Sequence, residues 1–213
     1  MMTKQEYEKD PKVYWEKPVS IGVALDLYSG GPVPEKQNPL WVKNILPDIL
    51  INEGHDLCVD LGCGGGRYLG NTAEYFKQVM GVDFSANNLN QAKKHIETAN
   101  IKNVIFYQAS LIDMPEIKSG DVDFAYSVAV LMHMTNENRL ATMREIRRIL
   151  SPNGRAVLLE ITSMEHGAFD CPGLTPLEWE NMLAEAGLIL DEKTGNEIEG
   201  DFVRYKLHKG GVK

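Results

Sequence analysis

From Asp56 to about Ile161 the chain alternates short apolar runs with longer amphipathic ones. Short apolar runs suit strands covered on both faces, and the amphipathic segments suit helices that cover them. That alternation restricts the chain to repeated strand–helix units around a mainly parallel sheet, because parallel neighbours need a long crossover between them. Strands are expected over 57–61, 79–83, 103–108, 121–128 and 155–161. Between the second and third, SANNLNQAKKHIETAN sets Leu89, Ala92, Lys93 and Ile96 at helical spacing, with Ser85 suited to cap the first turn and Asn100 to end the helix. Another helix, from about Asn136 to Leu150, carries Leu140, Met143, Ile146, Ile149 and Leu150 towards the sheet. Ser151-Pro152-Asn153-Gly154 should stop it and turn into RAVLLEI. Further on, Thr175-Pro176-Leu177-Glu178 is a good helix start, and two β-rich stretches near 188–194 and 201–208 read as an antiparallel pair.

Residues 1–53 differ in texture, with scattered aromatics and prolines ahead of LWVKNILPDILI, a helical stretch interrupted or restarted at Pro47. We read 1–53 as a helical cap or lid on a core formed by 54–213, the whole making a single domain. The formal net charge of -8 makes the average surface repel phosphate backbones, which weighs against a nucleic-acid partner and favours a small-molecule one. No apolar run reaches the length of a membrane span, and the polar start MMTKQEYEKDPK lacks the layout of a secretion signal, so no membrane partner and a cytoplasmic location are expected. Cys58, Cys63 and Cys171 are too scattered for a zinc site or a disulfide framework, and no metal is expected. Cys58 reads as a buried strand residue and Cys171 as a loop thiol.

The strongest local signal is Val59-Asp60-Leu61-Gly62-Cys63-Gly64-Gly65-Gly66-Arg67-Tyr68, where a buried strand runs into glycines and then into a helix. Glycines let the backbone turn sharply and approach a ligand closely, and a helix start presents N–H groups. Dinucleotide-binding loops use a similar G-x-G-x-x-G spacing, but here Arg67 falls where their third glycine would stand. Asp60, just before the turn, would repel a pyrophosphate yet can hold an ammonium group. The next strand ends Gly81-Val82-Asp83-Phe84-Ser85, placing an acid that can accept ribose hydroxyls beside a ring that can lie on adenine. Together these residues describe an adenosine carrying an amino acid.

These features resemble the class I S-adenosylmethionine-dependent methyltransferases, in particular the subgroup with type 11 or type 25-like domains that methylates small molecules. The likeness runs over roughly residues 54–190: VDLGCGGGRYL resembles the family's first motif, GVDFS its second, SVAVLMHM its segment after strand four, and LSPNGRAVLLE its turn into strand five. It implies a Rossmann-like α/β fold, with a mostly parallel seven-stranded sheet, an antiparallel C-terminal strand and helices on both faces. It also implies S-adenosyl-L-methionine as cofactor and S-adenosyl-L-homocysteine as product.

Carried over residue by residue, Asp60, Gly62, Cys63 and Gly64 would surround the methionine end, Asp83 the ribose and Phe84 the adenine. Ser110 stands where the family commonly has an aspartate that binds the adenine amino group. The hydroxyl can accept that bond without charge, leaving more of the recognition to the Leu111 backbone and Phe84. Ser127 should offer its backbone carbonyl to the cofactor's amino group. His133, after the strand-four tip, is the candidate general base, with packing at the next helix start as the competing role. Glu160, His166 and Phe169 are candidates for acceptor contacts, and Tyr14, Trp15 and Tyr28 of the cap could close over the site. The expected activity is in-line methyl transfer to an oxygen or nitrogen of a small molecule. Three rivals stay open at this stage: a non-catalytic module that binds the same cofactor, a nicotinamide-dependent oxidoreductase, and a nucleic-acid or protein methyltransferase.

Overall fold

A computed structural model describes residues 39–161, 173–195 and 202–210. Two short helices, α1 (Pro39–Asn44) and α2 (Leu46–Ile51), lead in, with Pro47 at the first turn of α2 where its missing N–H costs nothing. Then follow β1 (Leu57–Leu61), α3 (Leu69–Thr72), β2 (Gln78–Asp83), α4 (Ala86–Thr98), β3 (Val104–Gln108) and β4 (Val122–Val128). A 3₁₀ turn at Leu131–His133 leads to α5 (Asn136–Ile149), β5 (Leu150–Ile161), α6 (Pro176–Glu185), β6 (Leu188–Gly195) and β7 (Phe202–Lys209).

Among the described residues the strands form one seven-stranded sheet in the order β3-β2-β1-β4-β5-β7-β6. The first five pair in parallel, and β7 runs antiparallel to both β5 and β6. The chain winds outward from β1 to β3 and then restarts on the other side of β1 with β4, so a crevice opens at the carboxyl ends of β1 and β4, where open α/β sheets bind ligands.

Strand periodicity sorts the core into two layers. Val59, Leu61, Ala125, Ala156 and Leu158 face Met143, Ile146 and Ile149 of α5 and Trp179 and Leu183 of α6. Cys58, Val79, Phe124, Tyr126 and Val157 face Leu89, Ala92 and Ile96 of α4, with Trp41, Ile45 and Ile49 of α1 and α2. Lys206 Nζ lies 3.0 Å from Asp48 Oδ1, and Arg204 also pairs with Asp48, so α2 is held to β7 by a buried acid between two cations.

Several local expectations hold. The Ser85 side chain caps α4 by accepting the Asn88 N–H at 3.2 Å, and Thr175 and Glu178 form a reciprocal capping box at the start of α6. Others differ. Lys93 is exposed, so the buried stripe of α4 is Leu89, Ala92 and Ile96. On α5 the stripe is Arg139, Thr142, Met143, Ile146 and Ile149, with Leu140 only half-buried. The anticipated turn at 151–154 is an irregularity within β5, which begins at Leu150 paired with Val122 and shifts register before Arg155 pairs with Phe124. A Cβ on Gly154 would stand 2.5 Å from the Val122 carbonyl oxygen, which is why the ladder can tighten there only around glycine.

Candidate functional site

The glycine loop leaves β1 with Gly62, Gly64 and Gly66 all at positive φ. Gly62 also allows a close approach, because a Cβ on it would lie 2.6 and 2.7 Å from the two Val130 methyls. At Gly64 a Cβ would meet nothing within 4 Å, so the loop is open on that side. The loop's N–H groups turn inward: Gly62 and Cys63 donate to the Val82 carbonyl at 2.8 and 3.0 Å, and Gly64 donates to Asp83 Oδ2 at 3.0 Å. The expected helix after the glycines is the four-residue α3, too short to offer a helix N-terminus to a ligand. Cys63 is buried, with its thiol beside Gly81, so only its backbone can face a ligand.

Asp60 and Tyr126 are register partners across the β1–β4 crevice, and both point into the α4 layer. The Tyr126 hydroxyl donates to Asp60 Oδ2 at 2.9 Å and lies 3.1 Å from Thr72 Oγ1. Burial pushes the Asp60 carboxyl up to about 7; the Tyr126 hydrogen bond pulls the other way and the nearby Asp83 charge adds to the rise. A buried acid with one donor among the described residues is a place for a cation, and an ammonium group supplies one.

Asp83 sits at the tip of β2, accepting from the Ser85 N–H at 2.9 Å and from Asn88 Nδ2 at 3.4 Å, besides Gly64. These bonds hold the carboxylate at the strand tip against the glycine loop. Phe84 is half-buried beside it, its carbonyl held by Gln108 Nε2 at 3.1 Å. Ser110 is exposed at the end of β3, while the Leu111 side chain is buried in the core.

At the tips of β4 and β5, on the opposite face, Glu160 is fully buried. Its Oε1 accepts from Ser127 Oγ at 3.2 Å and from the Val130 and Leu131 N–H groups at 3.4 and 3.2 Å. Its Oε2 accepts from the Met132 N–H at 3.1 Å. Burial pushes this carboxyl up to about 7, against the pull of those donors. Three of these four bonds come from backbone N–H groups, so the Glu160 carboxyl holds the 130–132 turn. His133, partly buried at the end of the turn, has its imidazole pushed down to about 4 by burial and by the Arg139 charge. The imidazole is therefore neutral at physiological pH.

Tyr14, Trp15, Tyr28, His166 and Phe169 lie outside the described residues. The residues that sequence reading missed are Tyr126, Thr72 and Arg139. The first follows from strand alternation, which puts Tyr126 on the same face as Phe124; the last is signalled by an arginine on the apolar stripe of α5. Among the described residues no group of three or more His, Cys, Asp or Glu could hold a metal ion, and no helix is long and apolar enough to cross a membrane.

Residues 59–158 match the family model described as a methyltransferase domain. The chain is 34% identical over 113 residues to 2-phytyl-1,4-naphtoquinone methyltransferase of Nostoc sp., covering 49% of this chain and 46% of that protein. It is 33% identical over 110 residues to the tRNA (carboxymethyluridine(34)-5-O)-methyltransferase of Macaca fascicularis, covering 51% of this chain and 15% of that protein. It thus spans about half or less of the length of these relatives. In fold it is similar to geranyl diphosphate C-methyltransferase from Streptomyces coelicolor A3(2), solved with Mg2+, geranyl diphosphate and S-adenosyl-L-homocysteine, with a TM-score of 0.72 and 18% identity over 96% of this chain and 98% of that one. The glycine loop, the acids at the tips of β1 and β2 and the sheet order agree with the matched region: residues 59–158 carry the likeness to a methyltransferase domain, in the Rossmann-like fold of the class I S-adenosylmethionine-dependent methyltransferases, and S-adenosylmethionine is the cofactor that these matches support.

Proposed function

We propose that this protein transfers a methyl group from S-adenosylmethionine to an oxygen or nitrogen of a small-molecule acceptor. The observation that carries the donor half is Asp60, a buried carboxylate at the β1–β4 crevice beside a loop that is open at Gly64. Bound there, the cofactor supplies an electrophilic methyl group that a nucleophile can take directly. Asp60 would hold the ammonium group with help from the Ser127 carbonyl, the Gly62–Gly64 backbone would line the methionine end, and Asp83 would accept the ribose hydroxyls. Phe84, Ser110 and the Leu111 backbone would receive adenine. The remaining tasks are to align the acceptor about 3 Å from the methyl carbon and to keep water out.

The net charge of -8 favours a small acceptor over a nucleic acid. Part of the same proposal are the layout of a cap over 1–53 on a core over 54–213 and the cytoplasmic setting read from the sequence. His133 serves in it as a polar wall of the acceptor side.

The test is incubation of purified protein and S-adenosylmethionine with a naphthoquinol, a carboxymethylated uridine nucleoside and simple phenols and amines, following S-adenosylhomocysteine by mass spectrometry. Thermal unfolding with S-adenosylhomocysteine or NAD runs alongside. Methyl transfer to a small molecule and a rise in Tm with S-adenosylhomocysteine alone are expected. Stabilisation by NAD instead would overturn the donor assignment, and binding without transfer to any acceptor would leave a cofactor-binding module.

A further inference from the structure

The turn after β4 is held between two buried charges of opposite sign. Arg139 is 1% exposed, and its guanidinium donates through Nε to the Leu131 carbonyl and through Nη2 to the Met132 carbonyl, both at 2.9 Å. Nη1 donates to Asn136 Oδ1 at 2.7 Å, and the group lies 5.5 Å from the centre of the Trp179 ring. The N–H groups of the same turn go to Glu160. The peptide group joining Leu131 to Met132 is therefore stretched between the two: its C=O meets the cation and its N–H meets the anion. A peptide dipole aligned this way is stabilised at both ends, and each buried charge finds partners without water.

Two further observations show that the turn is forced into place. Ala129, the residue that leaves β4, has φ +55°, a left-handed conformation that alanine rarely adopts unless its surroundings over-determine it. On the far side, the Val130 methyls press against Gly62 so closely that no side chain fits there. The turn thus touches the cofactor loop with one residue and ends in His133, whose N–H donates to the Val130 carbonyl at 3.1 Å.

We propose that Glu160 and Arg139 are positioning residues for methyl transfer: they set where the 130–133 turn stands against the Gly62 loop, and through it where the acceptor stands against the donor methyl. This inference rests on the activity proposed above. It assigns Glu160 a role through the backbone of the turn rather than by touching the acceptor. Displacement of a reacting group by about 1 Å costs on the order of a hundredfold in rate, so a clamp of this kind is felt in turnover before it is felt in binding.

The experiment compares wild type with Glu160→Gln and Arg139→Lys. The first substitution would turn an amide NH2 towards backbone donors, and the second keeps the charge of Arg139 but not the fork that spans two carbonyls. Hydrogen exchange of the backbone amides, S-adenosylhomocysteine affinity by calorimetry and kcat with the best acceptor are measured on each. In both variants the amides of Leu131 and Met132 should exchange at least about tenfold faster while those of β4 keep their protection, and kcat should fall at least about tenfold with cofactor affinity changed less than about threefold. Unchanged exchange at Leu131 and Met132 would overturn the clamp. Equal losses of cofactor affinity and kcat would overturn the role in acceptor placement. Should Glu160→Gln not fold, Ala129→Gly, which loosens the hinge and removes no hydrogen bond, must give the same split between kcat and affinity. A wild-type protein that methylates no acceptor defeats the proposed activity itself, and that arm reports it separately from the clamp.

Discussion

Asp60 and Glu160 make an informative pair, because both are buried carboxyls at strand tips and both are pushed up to about 7. Asp60 faces the α4 layer and has Tyr126 as its protein donor. Glu160 faces the α5 layer and gathers a hydroxyl and three N–H groups. The same desolvation is thus left open on one side of the sheet and largely answered on the other. An open anion is completed by a ligand's cation, whereas an answered one holds the protein's own backbone. Burial of a charge therefore marks a site only once its donors have been counted.

The hardest test of how the two sides meet is Gly62→Ala. It forces a left-handed backbone on alanine and drives its Cβ into Val130, so a loss of about 2–4 kcal/mol is expected, lowering Tm by roughly 5–10 °C in thermal unfolding. A change within the error of the measurement would show that the turn and the loop are not in contact. Next in size is Asp60→Asn. It should weaken S-adenosylhomocysteine binding about 10- to 100-fold at pH 8 by calorimetry, the worth of a charged hydrogen bond, while Glu160→Gln barely moves it. The reverse ranking would break the comparison.

The pH dependence follows in sign from the same acids. Asp60 and Glu160 hold their protons more tightly folded than unfolded, where their values are 3.8 and 4.5. The folded state therefore binds more protons between about pH 4 and pH 7, and the stability these groups contribute is full below that window and lost as pH rises through it. Cofactor binding has the opposite sense, because the ammonium needs the ionised Asp60. Affinity for S-adenosylhomocysteine should fall up to about tenfold per unit as pH drops below 7. Asp60→Asn should flatten both trends and raise the Tm of the ligand-free protein at pH 8; steeper trends in the variant would refute the assignment.

Smaller effects belong to residues on the rim. His133→Ala should lower kcat by no more than about tenfold, and with cofactor and acceptor saturating, the pH profiles of kcat in wild type and variant should run parallel between about pH 5.5 and 8, since the imidazole is pushed down to about 4. Smallest is Ser110→Asp, which restores the charged acceptor common in the family at an exposed position and should tighten S-adenosylhomocysteine binding about two- to fivefold.

The donor half was legible because its chemistry is written in consecutive residues. A strand, a glycine turn and an acid at each of two strand tips are local patterns, and Asp60, Gly62, Gly64 and Asp83 stand where those patterns put them. Strand positions were legible for the same reason, since short apolar runs bounded by turn residues mark strands covered on both faces. The acceptor side was not. Glu160 reads as an acceptor contact because it is an acid at a strand end, and nothing near it in the chain reveals that the donors it also holds lie 28 to 33 residues away. Arg139 is one of four arginines on α5, and only its spacing from Met143 puts it on the buried stripe.

The sequence by itself determined the alternation of strands and helices, the glycine loop and the acids of the donor side, because backbone freedom and side-chain period act between neighbours. Only the tertiary structure decided that β7 would lie between β5 and β6, that Tyr126 would meet Asp60 across the crevice, and that a glutamate and an arginine would hold one turn between them. Those outcomes depend on which distant groups share a water-free space. There each polar atom must find a partner wherever the chain brings one, and no local pattern records which it will be.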